Sequence, residues 1–347
     1  MVDRGFGVQV EGSYGNAVAK SAFVPDWWSE AETVDFKLND EPVTKSGSSR
    51  MNKRARAGVA KPTGTTKADA DLQRLTWYWY GFLDNYEFTE GTNSNPNVHE
   101  FYGGENKELP SFRGLAVFDM LKKYIYGMIE DGLKLECSDD SLSVESSWIY
   151  KTEKAGIIGT SGETFTRPDD LDDDYFIMFY DISLKLSGSA IDGVSTAFSM
   201  DAKNNHNVDA TVGFGSRYPQ KRPNAGKREI DLSLTTTLTS DTVRSILNAE
   251  YGEVNALEPS ACKILQVPLE LNVALCENNN ISMKILFPKC TVKAEYDMSG
   301  SDNIEVTMSL ATLGTGTATL ASGDSVETDV YVKLINEQDE IETVDSS

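Results

Sequence analysis

The sequence predicts a mainly β protein made of two related units, each a β-sandwich or barrel with a flanking α-helix and a long loop or hairpin. Three observations lead to that class. Segments alternating apolar and polar residues recur along the chain. A basic motif occurs twice, and the segments after each copy run in the same order. At 347 residues the chain has room for two domains, each able to bury a core.

The first copy of the motif, GSSRMNKRARAG, ends at Gly58, and the second, GSRYPQKRPNAG, ends at Gly226. Both read Ser-Arg, two or three residues, Lys-Arg, two residues, Ala-Gly. Lys53-Arg54 thus recurs as Lys221-Arg222, at a spacing too long for a solenoid repeat and suited to a duplicated domain. After the first copy, DLQRLTWYWYGFLDN (71–85) places bulky residues at helical spacing. After the second, Ile230, Leu232 and Leu234 alternate as in a half-buried strand. Ser240 or Asp241 then caps a helix that carries Val243, Ile246 and Leu247 and stops near Gly252.

Two hairpins follow the same scheme. Residues 124–150 alternate Leu133 and Leu135 with Lys134 and Glu136 before a Ser138-Asp139-Asp140 turn. Residues 286–313 turn at Ser299 to Asp302 and then alternate Ile304, Val306 and Met308 with Glu305 and Thr307. Such alternation gives antiparallel strands with one dry and one wet face. Residues 177–204 read as a further strand pair, and Val330, Val332 and Leu334 as a last strand before an acidic tail. The expected boundaries are 1–170 for the first unit with an N-terminal arm, 171–315 for the second, and 316–347 for a C-terminal extension.

Known constellations of catalysis and metal binding do not emerge. His99 and His206 sit in polar, Asn-rich stretches that read as loops without metal-ligand spacing. Cys137, Cys262, Cys276 and Cys290 form no Cys-x-x-Cys pair and read as isolated buried thiols of a reducing cytoplasm. No Gly-x-Ser-x-Gly elbow is present, and GVAKPTGTTK (58–67) departs from a phosphate-binding loop in spacing and lacks its Lys. The carboxylates between Asp169 and Asp174 lack the glycine and final Glu of an EF-hand and read as a solvated linker. The WYWY run (77–80) reads as core or subunit contact. No cofactor is expected, and the chain is not expected to be an enzyme. There is no apolar run long enough to span a membrane and no apolar core of a signal peptide at the N-terminus.

Charge is the most informative feature. The chain carries a formal net charge of -22, yet residues 46–67 hold Arg50, Lys53, Arg54, Arg56, Lys61 and Lys67 without an acid. The second basic segment holds Arg217, Lys221, Arg222, Lys227 and Arg228. A nucleic-acid site would call for a basic face, which the rest of the chain does not offer. A solvated loop is the plain alternative. The third reading is that a positive loop on an acidic body complements the next copy of that body. Folded as a hairpin, such a loop reaches roughly 35 Å at ~3.3 Å per residue, enough to span a neighbour. Repeated head-to-tail contacts of this kind build open filaments or tubes.

The N-terminal stretch GVQVEGSYGNAVAKSAFVPDWWSEAETVDF resembles the opening of tailed-virus tail tube (major tail) proteins, at Glu11, Tyr14-Gly15, Ala17-Val18 and Phe23-Val24-Pro25. The SSRMNKRARAG segment, GSRYPQKRPNAGKREIDLSLTTTL, and the hairpin FPKCTVKAEYDMSGSDNIEVTMSLATL are similar to later parts of that family's pattern. The resemblance spans residues 1 to about 315. It departs from the pattern in the polar insertion TEGTNSNPNVHEFYGGENKELPSF and in the C-terminal extension.

The resemblance implies tail-tube-like β units that stack as rings around a channel, in the tail of a virion assembled in the host cytoplasm. The partners it implies are further copies of the chain, three or six to a ring, and other tail proteins (tape measure, tail terminator, distal tail). Viral DNA would pass through an acidic lumen without specific binding, and no membrane is involved. The basic residues named above would then carry contacts between rings or subunits. The competing reading is a soluble β-rich binding module for carbohydrate or protein, with Trp27-Trp28 or Trp77 and Trp79 as sugar platforms.

Overall fold

The computed structural model describes residues 4–15, 25–40, 43–45, 54–92, 95–137, 140–158, 175–191, 195–237, 246–247, 249–251, 265–276, 280–297 and 305–341. In the first half, β1 (Arg4–Val10), β2 (Trp27–Glu30) and β3 (Thr33–Lys37) precede a small hairpin of β4 (Val43–Lys45) and β5 (Arg54–Arg56). Then come β6 (Thr63–Asp69), α1 (Leu75–Phe82), β7 (Asn85–Thr89) and β8 (Asn97–Tyr102). The half closes with β9 (Phe112–Phe118), β10 (Leu121–Cys137), β11 (Leu142–Ile149) and β12 (Thr152–Ile157). The second half contains β13 (Ile182–Leu186), β14 (Ser189–Ala190), β15 (Ser195–Lys203), β16 (Glu229–Thr237), β17 (Val267–Ala274), β18 (Ser282–Asp297) and β19 (Glu305–Thr312). Helical residues at 246–247 and 249–251 lie between β16 and β17. Last are β20 (Gly316–Thr319), β21 (Ser325–Thr328) and β22 (Tyr331–Asn336).

The fold is mainly β, and its pairings are antiparallel. In the first half the strand order is β2-β1-β9-β10-β11-β6-β3. In the second half it is β14-β13-β17-β18-β19-β16-β15. The same order therefore occurs twice, and in each half one more strand, β12 or β22, lies against the first part of the long strand. The pairings branch at β10 and β18, each of which serves two layers. The first part of β10 pairs with β9 and β12, and its second part pairs with β11 and β15.

A strand that changes layers must bend. Gly127 takes a left-handed φ of 65° within β10, and the register slips by a bulge between Glu130 and Gly132. The Glu11 carboxylate accepts the Gly127 N–H at 2.9 Å and the Gly15 N–H at 2.7 Å, fastening the end of β1 to the bend. The layers then meet through aromatic rings. Phe6 of β1 lies 5.8 Å from Trp148 of β11 and 5.5 Å from Phe36 of β3, and Phe112 of β9 packs on Trp148 at 5.9 Å. One hydrophobic cluster runs from Phe6 to Ile341 and draws on both halves.

The alternating residues face inward as expected. Leu133, Leu135, Ile230, Leu232, Leu234, Val306, Met308, Val332 and Leu334 are all buried. The WYWY helix is core: Trp77, Tyr78 and Trp79 are buried, and the Asp71 carboxylate accepts the N–H groups of Gln73 and Arg74 at its start. Ile246 and Ala249, among the helical residues before β17, are likewise buried, while Ser240, Asp241 and Val243 fall outside the described residues.

Several expectations are corrected. Within 177–204 the strand pair is the short β13–β14 hairpin, whereas the longer β15 joins neither of them and pairs with β10 and β16. His99 is not in a loop. It lies in β8, buried among Tyr86, Phe88 and Phe101, because its ring fills the space between the aromatic residues of β7 and β8. Within the polar insertion, residues 97–102 form this strand, paired with β7 and β22. The C-terminal extension is part of the chain's own core: β22 lies between β18 and β8, with Val330, Val332 and Leu334 fully buried. Cys276 is exposed, unlike the buried Cys137 and Cys290.

His99 predicts a pH dependence. The Tyr86 hydroxyl lies 3.0 Å from Nδ1, and the Gln338 carbonyl lies 2.9 Å from Nε2, an arrangement that suits the neutral ring. Burial lowers its pKa to about 4. The folded state therefore resists a proton that the unfolded chain accepts below about pH 6.5. Its contribution is intact above that pH and falls on the way down to about 4, by on the order of 3 kcal/mol. The buried Glu11, Asp71 and Glu130, whose pKa values are raised by burial, push the other way in acid. Comparing denaturation midpoints of wild type and His99→Gln between pH 7 and 4.5 isolates the histidine: the variant should lose less stability than wild type on acidification.

Candidate self-association surfaces

The two basic segments meet each other in the fold. The Ala60 N–H donates to the Arg217 carbonyl at 2.9 Å, and Arg217 Nε donates to the Gly58 carbonyl at 3.2 Å. Lys61 pairs with Asp209 at 2.6 Å, and Arg217 pairs with Asp40. Several predicted contact residues are thus engaged within the chain. Lys67 is not on a loop but in β6, 3.2 Å from Glu32. Arg222 is half-buried beside Glu11, Tyr14, Tyr80 and Glu108. Lys221 and Lys227 are exposed.

Arg228 is the most deeply committed. Its Nη2 lies 3.0 Å from Asp84, its Nη1 lies 3.0 Å from Asp329, and its Nε donates to Asn204 Oδ1 at 3.3 Å. The side chains of Arg228 and Asp84 retain 11% and 0% of their exposure, so this is an internal clamp between the end of α1, the approach to β16 and the approach to β22. The Arg-Lys character of the motif could not distinguish a clamp from a contact arm. The distinction lies in where the carboxylates fall.

The basic residues left outward are Lys221 and Lys227 on the second segment and Arg56 on the β4–β5 hairpin. Its strands pair only with each other among the described residues, Val43 with Arg56 and Lys45 with Arg54. Arg56 is exposed, and so are the apolar Val43 and Val59. Arg50 and Lys53 fall outside the described residues. A two-stranded hairpin that buries little of its own surface is marginal in water and gains most from a partner. Phe214, on the second basic loop, is also fully exposed.

A second surface is the outer face of a long sheet. The order β3-β6-β11-β10-β15-β16-β19-β18 runs unbroken through both halves. One face covers the core and the other is polar. Across it, Lys67 stands opposite Glu145, Glu145 opposite Lys134, Lys134 opposite Asp201 and Asp201 opposite Asp231. Asp35, Asp69, Glu136, Glu229, Glu295 and Glu305 share this face with Lys37, Lys203 and Lys293, so carboxylates outnumber lysines on it. Alternation marked β10, β11, β16, β18 and β19 in the sequence and not β3 or β6, and only the pairing shows that the wet faces form one surface.

Other chemistry finds no centre. Among the described residues no group of three or more His, Cys, Asp or Glu is arranged to hold a metal ion. The Asp169 to Asp174 cluster lies outside them. His206 is held by Asp131 at 2.8 Å. All of Trp27, Trp28, Trp77, Trp79 and Trp148 are buried, which removes the tryptophans as sugar platforms. Among the described residues no helix is long and apolar enough to cross a membrane. The chain matches no known protein family and no curated protein.

The two classes of basic residue should separate in stability measurements. Arg228→Met leaves Asp84 and Asp329 without their cation and should cost about 3–5 kcal/mol. Arg56→Glu, on an exposed strand, should change stability by less than about 0.5 kcal/mol. Urea denaturation of both variants checks the pair.

Proposed function

We propose that this chain is a structural virion protein that self-assembles into stacked rings forming a tail tube, a conduit for genome delivery. The observation that carries this reading is the unbroken sheet of eight strands, four from each half, dry on one face and polar on the other. In a ring of such sheets the polar face lines the channel. Its excess of carboxylates keeps DNA phosphates from binding while they pass, because like charges repel across a water-filled space.

Two copies of the strand order in one chain favour three chains per ring, each supplying two tube units. The β4–β5 hairpin then reaches an adjacent ring, placing its arginines against an acidic body. This is the reading of charge that the sequence offered, narrowed to the part of the basic segment that the chain does not use itself.

Electron microscopy of the purified protein across a concentration series tests the proposal. The expected result is rings or tubes with a central hole and threefold symmetry. Lys53→Glu with Arg54→Glu should leave folded subunits that no longer stack, whereas tubes of normal length from that variant would sink the hairpin assignment. Glu145→Lys with Asp231→Lys should leave assembly intact and make tubes retain short DNA at low salt, read by co-sedimentation.

A further inference from the structure

Resting on the self-assembly reading, we propose that β18 of one copy binds β3 of the next as an antiparallel strand pair, with Lys293 opposite Asp35. The joint already exists once inside the chain. The two halves are joined where β15 lies against the second part of β10, with Lys134 opposite Asp201 and Leu135 opposite Met200. The strand that corresponds to β15 in the first half is β3, and the strand that corresponds to β10 in the second half is β18. Among the described residues, β3 pairs with β6 alone and residues 291–297 pair with β19 alone. Among the described residues, each end of the sheet therefore lacks the strand that its counterpart has.

The registers settle which residues correspond. Lys134 stands opposite Glu145, Glu145 opposite Lys67, and Lys67 opposite Thr33. In the second half Lys293 stands opposite Ser309, Ser309 opposite Ser233, and Ser233 opposite Ser199. Lys293 thus takes the place of Lys134, and Thr33 that of Ser199. The sequences agree: LKLE (133–136) matches VKAE (292–295), and MDAK (200–203) matches VDFK (34–37).

Local ion pairs repeat as well. Lys134–Glu136 at 2.7 Å recurs as Lys293–Glu295 at 2.9 Å, and Lys203–Asp201 recurs as Lys37–Asp35. Transferring the internal joint places Lys293 against Asp35, Ala294 against Val34 and Val292 against Phe36. Opposite charges meet on the wet face and apolar side chains meet on the dry one.

Burial points the same way. Leu133 and Leu135 are sealed by the internal joint, whereas Val292 and Ala294 at the matching positions remain half-exposed, and Tyr296 is 37% exposed. The Ala294 N–H is taken by the Glu250 carboxylate, a charge that caps this edge until a strand displaces it. That N–H points away from β19, so Ala294 would be a hydrogen-bonded position of the new pair. Lys293 would then be a non-hydrogen-bonded one, where opposite Cα atoms come within about 4.5 Å, close enough for a disulfide.

The test mixes two single variants, Asp35→Cys and Lys293→Cys, each made with Cys262→Ser and Cys276→Ser so that only the buried Cys137 and Cys290 remain. Within one chain the two positions lie at opposite ends of the sheet. Oxidation of the equimolar mixture should give a disulfide-linked dimer as the main product, and neither variant alone should. Asp35→Cys paired with Ala294→Cys, one residue out of register and on the other face, should give at most a tenth as much. Dimer from Asp35→Cys alone at the level of the mixture would overturn the head-to-tail joint. Rings seen by microscopy without a dimer in the mixture would overturn the strand pairing and leave the tube reading standing. Dispersed monomer at every concentration, again without a dimer, would overturn both.

Discussion

The structure depends on one strand serving two layers. β10 is bound to β9 and β12 along its first part and to β11 and β15 along its second, so its bend sets the angle at which everything else packs. The bend is made possible by Gly127, where a Cβ would lie 2.9 Å from Lys151 and from Tyr14, and by the bulge after Glu130. Glu130 is fully buried there, held by the Ser146 hydroxyl at 2.6 Å, and burial raises its pKa well above the usual carboxylate range. A neutral carboxyl can stay in such a site where a charged one would demand a partner. β18 likewise pairs with β17 and β22 along its first part and with β19 along its second, without a glycine at the change of partners.

From this bend follows a division of labour between the two faces of the long sheet. The inner face is held by aromatic rings from β1, β3, β9 and β11, and it tolerates little change in volume. The outer face is laced by exposed ion pairs that contribute little stability individually. Those pairs matter more for what the face repels and admits than for holding the fold. An acidic surface of this kind suits the proposed conduit, and the exposed Arg56 of the β4–β5 hairpin contrasts with it.

The internal joint between β10 and β15 is the pattern on which the proposed assembly rests. Among the described residues the sheet ends in two edges, each without the strand that its counterpart has. Exposed edges invite aggregation, and proteins blunt them with charges. Here Asp35, Lys37, Lys293 and Glu295 line the wet side of the edges, and Glu250 occupies one backbone donor. In the proposed joint, the same charges that discourage random pairing would select the one register in which Lys293 meets Asp35.

By itself the sequence determined the fold class, the alternation of strands such as β10, β16, β19 and β22, and the helix at WYWY, because these depend on periods of two and 3.6 residues that any short window displays. It also flagged both basic segments. It misread His99 and the stretch around it, since polar neighbours concealed a strand whose burial comes from β7 and from β22, far along the chain. It could not sort Arg228 and Lys67 from Arg56, because a basic residue becomes a clamp or a free arm according to whether carboxylates approach it from elsewhere. Only the tertiary structure decided that the C-terminal strand completes the core, that the wet faces form one surface, and that β3 and β18 end it. Those are consequences of pairing between distant strands, and no local pattern of residues specifies which strand will be its neighbour.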